Sequence, residues 1–340
     1  MVASNLLKSI RDDIYHIDIP IGHPLKNLNL YLFVGEESAL IDTGPYHPML
    51  DKLLQELLLH LGITDISKIL LTHSHIDHFG MAARLRAATG AEVMAHHAEK
   101  PRVERPHELL QEEYRNYASL AAVMGFPREF IRIIPDLAGV WMRLSEPCIV
   151  DVELNEGDRL RTGDRTLRVI HTPGHTVGHL CYLEEGEGLL FSGDHLIKTI
   201  TPNPEIYWPP REGRISGLPQ FLDSLRLLEG LDASCAYPGH GGPISSISRR
   251  IDMNLLHHGR RLEKTREAVR GGYCSVWEVA LYLFPQIREA SPSVDHFLAM
   301  REAIGQLVIL EDGGEVRRIE EEGIWLYQST GIKKPSDQDI

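Results

Sequence analysis

The chain has 340 residues, of which 43% are hydrophobic and 24% charged, so a disordered polymer is excluded and there is room for one large domain or two ordinary ones. A formal charge of −13 excludes a surface that attracts polyanions as a whole, and nucleic acid would need a local basic patch. Four cysteines without a C-x-x-C pair exclude a disulfide framework and a thiolate zinc site. The opening "MVASNLLKSIRDD" turns charged too soon for a signal peptide, and no apolar run approaches the ~18 residues of a membrane span, so a soluble cytoplasmic protein is expected.

In chain order, "IYHIDIP", "NLYLFVG" and "SALIDTG" read as strands separated by Gly, Pro and Asn. Leu50, Leu53, Leu54, Leu57 and Leu58 predict a helix from Pro48 to Leu61. "KILLT" is a buried strand, "FGMAARLRAATG" a helix closed by Gly90, and "AEVMAH" another strand. Residues 100–147 change character. Leu110, Tyr114, Tyr117, Leu120, Ala121 and Met124 recur at helical spacing, and "REFIRIIPDLAGVWMRL" follows as a second helical stretch, which together read as an inserted helical cap. Strands resume with "DRLRTGDRTLRVIHT", "HLCYLEE" and "GLLFSGD", and a helix near Leu218–Leu228 leads to "SCAYPGHGG". From 249 to 330 three helices and two short strands around "EDGGE" have the order of a winged helix, and 331–340 reads as a frayed tail.

The chemistry concentrates in "THSHIDH". Histidine nitrogens and carboxylate oxygens at the end of a strand are what a divalent cation takes as ligands. His73 and His75 can aim at one ion, and Asp77 and His78 at a second. Four residues do not complete two sites, so further ligands are expected at other strand ends. His171, His175 and His179 in "HTPGHTVGH", Asp194 in "LLFSGDH" and His240 in "CAYPGHGG" occupy such ends, each beside glycine.

"THSHIDH", "TPGHTVGH", "SGDH" and "PGHG", preceded by "ALIDTG", resemble the metallo-β-lactamase superfamily over about Ile14 to Pro243. The resemblance implies an α/β fold: a four-layer αββα sandwich with a dinuclear site at one edge, here with a helical cap insertion and a C-terminal winged-helix-like domain. It implies a catalytic domain over 1–248, a winged-helix-like domain over 249–330 and a tail. Carried over by position, His73, His75 and His175 hold one metal; Asp77, His78 and His240 hold the other; Asp194 bridges them. Two divalent ions are implied, with zinc the expected metal and iron or manganese the alternatives. Metal-bound hydroxide would attack the electrophile, with Asp77 orienting it and passing on its proton. Asp42 reads as the carboxylate that fixes a ligand imidazole, and His179 as a supporting residue rather than a ligand. His171, His195, His96, His97, His257 and His258 are not expected to be ligands.

The expected reaction is hydrolysis of a thioester or ester, with a small-molecule acyl substrate and a site similar to that of hydroxyacylglutathione hydrolases. The glutathione-binding helical domain of that branch has no counterpart here. Lys198 and Tyr207, in the stretch after Asp194, are candidate substrate contacts. The first alternative is a phosphodiesterase or endoribonuclease acting on single-stranded nucleic acid. Residues 249–270 carry seven Lys/Arg against three Asp/Glu, but the acidic whole disfavours that reading. The second is a non-enzymatic metal-bearing scaffold. G-x-S-x-G, H-E-x-x-H and phosphate-loop motifs are absent. A homodimer is expected to form, if at all, through the C-terminal domain.

Overall fold

A computed structural model describes residues 6–21, 25, 27–62, 65–211 and 213–331. The expected tail beyond residue 331 lies outside the described residues. The chain divides into two compact units. The first comprises Met1–Leu110, Gly139–Pro202 and Ser224–Ile251; the second comprises Gln111–Ala138, Asn203–Asp223 and Asp252–Ile340.

The first unit is built on two sheets. One has seven strands in sequence order: β1 (Leu7–Arg11), β2 (Ile14–Pro20), β3 (Asn27–Phe33), β4 (Ala39–Ile41), β5 (Lys68–Leu70), β6 (Glu92–His96) and β7 (Val152–Leu154). The first four pair antiparallel, and β4 to β7 run parallel. In the second sheet β8 (Arg159–Thr162), β9 (Arg165–His171), β10 (Leu180–Glu184) and β11 (Leu189–Gly193) form an antiparallel series. Its edge is Cys235–Pro238, parallel to β11. The strand-forming segment from Asp158 to Thr172 is a hairpin, turned at Gly163, whose φ of 56° suits glycine. Strands β1 and β7 had no reading in the sequence; they are short, and their alternation is weak.

Tyr31, Phe33, Ile41, Leu70 and Met94 of the first sheet share one core with Leu167, Val169, Tyr182 and Phe191 of the second. The opposite face of the first sheet buries Leu28, Leu30, Leu32 and Leu40 with Leu50, Leu54 and Leu57 of the helix Pro48–His60 and Leu85 of the helix Ala82–Thr89. The first sheet is therefore covered on both faces, which explains why its central strands read as unbroken apolar runs. Gly90 closes the helix Ala82–Thr89 in the left-handed conformation, φ 74°.

The second unit contains the apolar stripe of residues 111–138. Tyr117, Leu120, Ala121, Met124, Phe126 and Phe130 are buried in one core with Val276, Val279, Phe297, Met300 and Tyr327. This corrects the boundary expected from sequence. The segment 100–147 is not one insertion: its middle belongs to the C-terminal unit, because its amphipathic face packs there, while Trp141 and Leu144 pack in the first unit. The aromatic residues of the stripe serve as core. The helices Val276–Leu283 and Val294–Asp312 and the hairpin of Val316–Glu321 with Ile324–Ser329 follow in the anticipated order. Ser275 opens the first of them with a capping box closed by Glu278. A further hairpin, Ile206–Arg211 with Arg214–Ser216, lies in a stretch read as loop.

Candidate metal centre

Every candidate ligand follows the end of a strand in the first unit. β5 ends at Leu70 and delivers His73 and His75, and the turn of helix Ile76–Phe79 adds Asp77 and His78. The segment after β9 delivers His175, Asp194 follows β11, and His240 follows Cys235–Pro238. Strand ends are rigid, and the loops beyond them let the side chains converge.

The donor atoms meet in two clusters. His73 Nε2 lies 2.9 Å, and His175 Nε2 3.0 Å, from His75 Nδ1. One nitrogen facing two others carries at most one proton, so the three cannot all be matched by hydrogen bonds; a cation among them would accept all three lone pairs. In the second cluster Asp77 Oδ2 lies 3.2 Å from His240 Nε2 and 3.9 Å from His78 Nε2. Asp194 stands at both: its Oδ2 is 3.6 Å from His175 Nε2 and 3.6 Å from His240 Nε2, and its Oδ1 is 3.5 Å from His78 Nε2. His78 Nε2, His240 Nε2 and Asp194 Oδ1 are buried and make no hydrogen bond among the described residues. Orphaned lone pairs converging from imidazole and carboxylate are what a divalent cation would satisfy, so the residues present fit two metal ions.

The electrostatics agree. Burial pushes the His73 imidazole well below its usual pKa, and its histidine neighbours push it further. Burial also opposes charge on His78 and His240, yet Asp194 and the other carboxylates raise both. Asp77 and Asp194 are held well below the usual carboxylate range despite burial, by His78 and His240. The carboxylates of Asp77 and Asp194 therefore stay ionised in spite of burial, facing the imidazoles of the cluster.

Three of the candidate ligands, His78, Asp194 and His240, are held from behind. His78 Nδ1 donates to Asp42 Oδ2 at 2.7 Å, which leaves Nε2 facing the cluster. Asp42 also accepts the Thr72 N–H at 2.8 Å and the Thr72 hydroxyl at 2.8 Å, and it holds the left-handed φ of 58°. His240 Nδ1 donates to the Asn27 carbonyl at 2.8 Å. His179 receives the Asp194 N–H on Nε2 at 3.1 Å, and its Nδ1 contacts Thr172 Oγ1 at 2.8 Å, which fixes the ring that holds Asp194. His195 is buried and its pKa is pushed down to about 3 by that burial. His171 stacks on His96 at 4.3 Å and contacts the Val177 carbonyl.

Several supporting residues had no signal in the sequence. Glu99 is 1% exposed. Its Oε2 accepts the Ser74 N–H at 3.0 Å and the Ser74 hydroxyl, and its Oε1 accepts the Gly178 N–H at 2.6 Å. It ties the loop of His73 and His75 to the loop of His175 and His179. Burial works to raise its pKa, but Arg102 and these donors hold it below the ordinary value. Asn29 Nδ2 donates to the Pro238 and Gly241 carbonyls at 2.8 Å each, and Tyr31 Oη donates to Pro238 O at 2.6 Å, which fixes the loop of His240. At Gly239 a Cβ would stand 2.6 Å from His78 Cε1 and 2.7 Å from Asp194 Oδ1.

A cavity of about 610 Å³ adjoins His240, with Ile10, Leu25, Ile197, Ile200 and Tyr237 among its apolar walls. Lys198 is exposed and runs beside Gly242, another wall residue. Tyr207 belongs to the second unit, where it is buried on the strand Ile206–Arg211.

The sequence profile of the metallo-beta-lactamase superfamily matches residues 26–240. A probable metallo-hydrolase of Bacillus subtilis, YqjP, is 27% identical over 88% of this chain and 92% of its own length. An atrochrysone carboxyl ACP thioesterase of Aspergillus fumigatus is 25% identical over 72% of this chain, which spans about half, 45%, of that protein. The crystal structure of a metallo-beta-lactamase family protein from Thermus thermophilus superposes with a TM-score of 0.77 at 31% identity, covering 94% of this chain and all of that one. The motif loops, the paired sheets and these likenesses agree: the chain belongs to the metallo-β-lactamase superfamily.

Proposed function

We propose that the protein is a dinuclear metal-dependent hydrolase of thioesters or esters. The observation that carries this reading is the convergence of two donor clusters on one shared carboxylate, Asp194. His73 Nε2, His75 Nδ1 and His175 Nε2 would hold one ion; Asp77, His78 Nε2 and His240 Nε2 the other; Asp194 would contact both. Divalent ions held there, zinc being the reading favoured by an imidazole-rich set, supply Lewis acidity and water of lowered pKa.

The chain's own residues do the rest. Asp77 is the most accessible of the carboxylates, with 32% side-chain exposure against 9% for Asp194, and is placed to orient an attacking O–H and hold its proton on Oδ. His78 and His240 are locked by Asp42 and the Asn27 carbonyl, so their Nε2 atoms need no reorganisation. The cavity beside His240 receives part of the substrate, its apolar walls suiting an acyl chain. The thioesterase name of the fungal relative supports the choice of bond. Two of the basic side chains of the helix Ile247–Arg270 are engaged within the fold. Arg261 is spent on the Leu283 carbonyl and the Phe284 ring, and Arg266 on Glu315 and Glu263. The C-terminal elements are read as a winged-helix-like packing module.

The test assays one zinc-loaded preparation against a panel of acyl thioesters and against labelled single-stranded RNA. Thioester turnover with intact RNA is expected; RNA cleavage without thioesterase activity would overturn the reading. Asp194→Ala should lower metal content and turnover together, and a fully active variant without bound metal would end it.

A further inference from the structure

The first sheet turns polar where it lines the cavity beside His240. On one face of β2, His16 and Asp18 stand across from Tyr31 and Asn29 of β3, and His16 also across from Lys8 of β1. Tyr31 belongs to the core between the sheets, whereas Lys8, His16, Asp18 and Asn27 line the cavity. Three of these four are matched within the fold. The Lys8 ammonium donates to Asp18 Oδ2, Asn27 Nδ2 donates to Asp18 Oδ1 at 2.8 Å, and Asn27 Oδ1 accepts the Gly241 N–H at 2.8 Å. His16 is matched on one ring nitrogen only.

The tautomer of His16 follows from backbone groups. Asn29 Nδ2 donates to the carbonyls of Pro238 and Gly241, at 2.8 Å each, so the Asn29 amide has one orientation. Its Oδ1 is therefore the atom that meets Asn27 Nδ2 at 2.8 Å and His16 Nε2 at 2.7 Å. An amide oxygen only accepts, so His16 Nε2 carries the proton. Burial lowers the pKa of the ring, against the pull of Asn29 and Asp18, and His16 is neutral near pH 7. Its Nδ1 is then a bare lone pair. The Tyr31 ring, stacked at 5.3 Å, covers one face of the imidazole, and Nε2 points at Asn29, which is 1% exposed. Nδ1 makes no hydrogen bond among the described residues, yet it is not enclosed, although His16 as a whole is only 7% exposed. The edge that His16 gives to the cavity is thus the one that carries Nδ1.

The cavity walls also include Leu25, Ile197 and Ile200. A lone pair among such walls selects by what it refuses. A carboxylate or ether oxygen would set a lone pair against a lone pair, and a bare hydrocarbon would take Nδ1 out of solvent with no bond in exchange. An O–H or N–H group forms that bond. We propose that the cavity binds a part of the substrate carrying an uncharged hydrogen-bond donor, a hydroxyl or an amide N–H, with His16 Nδ1 as its acceptor. The inference rests on the hydrolase reading for the word substrate; the donor site itself does not. The substrate class narrows to thioesters or esters with such a group on the portion that lies beside His240.

Binding is measured by NMR titration on the full-length chain stripped of metal, so that ions in the centre do not compete for the probes. Two pairs of probes differ by one donor: hexanol with methyl pentyl ether, and N-methylhexanamide with N,N-dimethylhexanamide. Saturable binding is expected, about threefold to tenfold tighter for the donor in at least one pair, as one neutral hydrogen bond gives. The pair that shows the preference names the donor. The nitrogen resonance of His16 Nδ1 should be that of an unprotonated nitrogen in the free chain and should move as that donor binds. His16→Phe keeps a ring to stack on Tyr31 but has no lone pair, so the preference should vanish. If His16→Phe does not fold, the native titration and the Nδ1 resonance still decide. No saturable binding of either donor, no preference in either pair, a preference that persists in His16→Phe, or an Nδ1 resonance that is protonated or unmoved would overturn the proposal and leave His16 as a support for Asn29. A zinc-loaded chain that hydrolyses no thioester, with or without such a donor, would instead defeat the hydrolase reading and leave the donor site standing.

Discussion

Asp42 Oδ2 lies 2.7 Å from His78 Nδ1, and neither residue is more than 1% exposed. The same carboxylate accepts the Thr72 N–H and hydroxyl, so it serves three donors. Asp42→Ala should therefore cost metal affinity at the cluster of Asp77, His78 and His240 by about 10- to 100-fold. Asp42→Asn should lose less, because an amide oxygen still accepts. Metal titration of stripped protein against a chromophoric chelator measures both, and equal affinity in the native chain and Asp42→Ala would remove the carboxylate from any orienting role.

Glu99 faces three donors from two loops. Glu99→Gln keeps the shape but turns an NH2 group toward at least one of them. Affinity at the cluster of His73, His75 and His175 should fall, and stability should drop by about 1–3 kcal/mol for a buried donor left unmatched. Cobalt substitution reads the site directly: a changed ligand-field spectrum is expected, and an unaltered spectrum with only a lowered melting point would make Glu99 purely structural.

Glycine positions separate contact from conformation. Gly239→Ala puts a methyl 2.6 Å from His78 Cε1, so metal binding and turnover should both collapse. Gly139→Ala, in the helix Arg128–Met142 with nothing within 4 Å, should be tolerated or should stabilise by about 0.5–1 kcal/mol. Parallel unfolding and metal-content measurements on the two variants check the contrast.

How much of this was legible in the sequence depended on what each residue does. The convergence of the candidate donors was legible because a cation needs several donors at strand ends, and glycine-flanked histidines advertise that. Asp42 was legible from its place in "LIDTG". Glu99, Asn27, Asn29 and Tyr31 were not, because each works by meeting a backbone group far away in the chain: Asn29 holds the carbonyl of Pro238, 209 positions on. No local pattern encodes such a partner. The middle of the expected cap was misplaced for a related reason. An amphipathic stripe announces that it will be buried, not which core will bury it.

His258, in the second unit, provides a test of pH dependence. It is 2% exposed, and burial lowers its pKa to about 3, from an ordinary value near 6.5. The unfolded chain then binds a proton that the folded chain refuses. This contribution to stability is whole above pH 6.5 and is lost at about 1.4 kcal/mol per pH unit as the pH falls from there toward 3. His258→Gln should flatten that part of the stability profile, read from denaturant midpoints between pH 7 and 4. A slope identical to the native one would show that His258 does not set it.

The bonds from Asn29 and Tyr31 to Pro238 close a loop of some two hundred residues, and they fix the last ligand to nearly the first strand pair of its unit. Such a closure comes late in folding, because local contacts must form before a distant one is rewarded. A chain still emerging from the ribosome would carry "THSHIDH" and "TPGHTVGH" long before Pro238–Gly241 joins them. The nascent protein would thus hold the donors of the cluster of His73, His75 and His175 first, and the cluster of Asp77, His78 and His240 would be completed last.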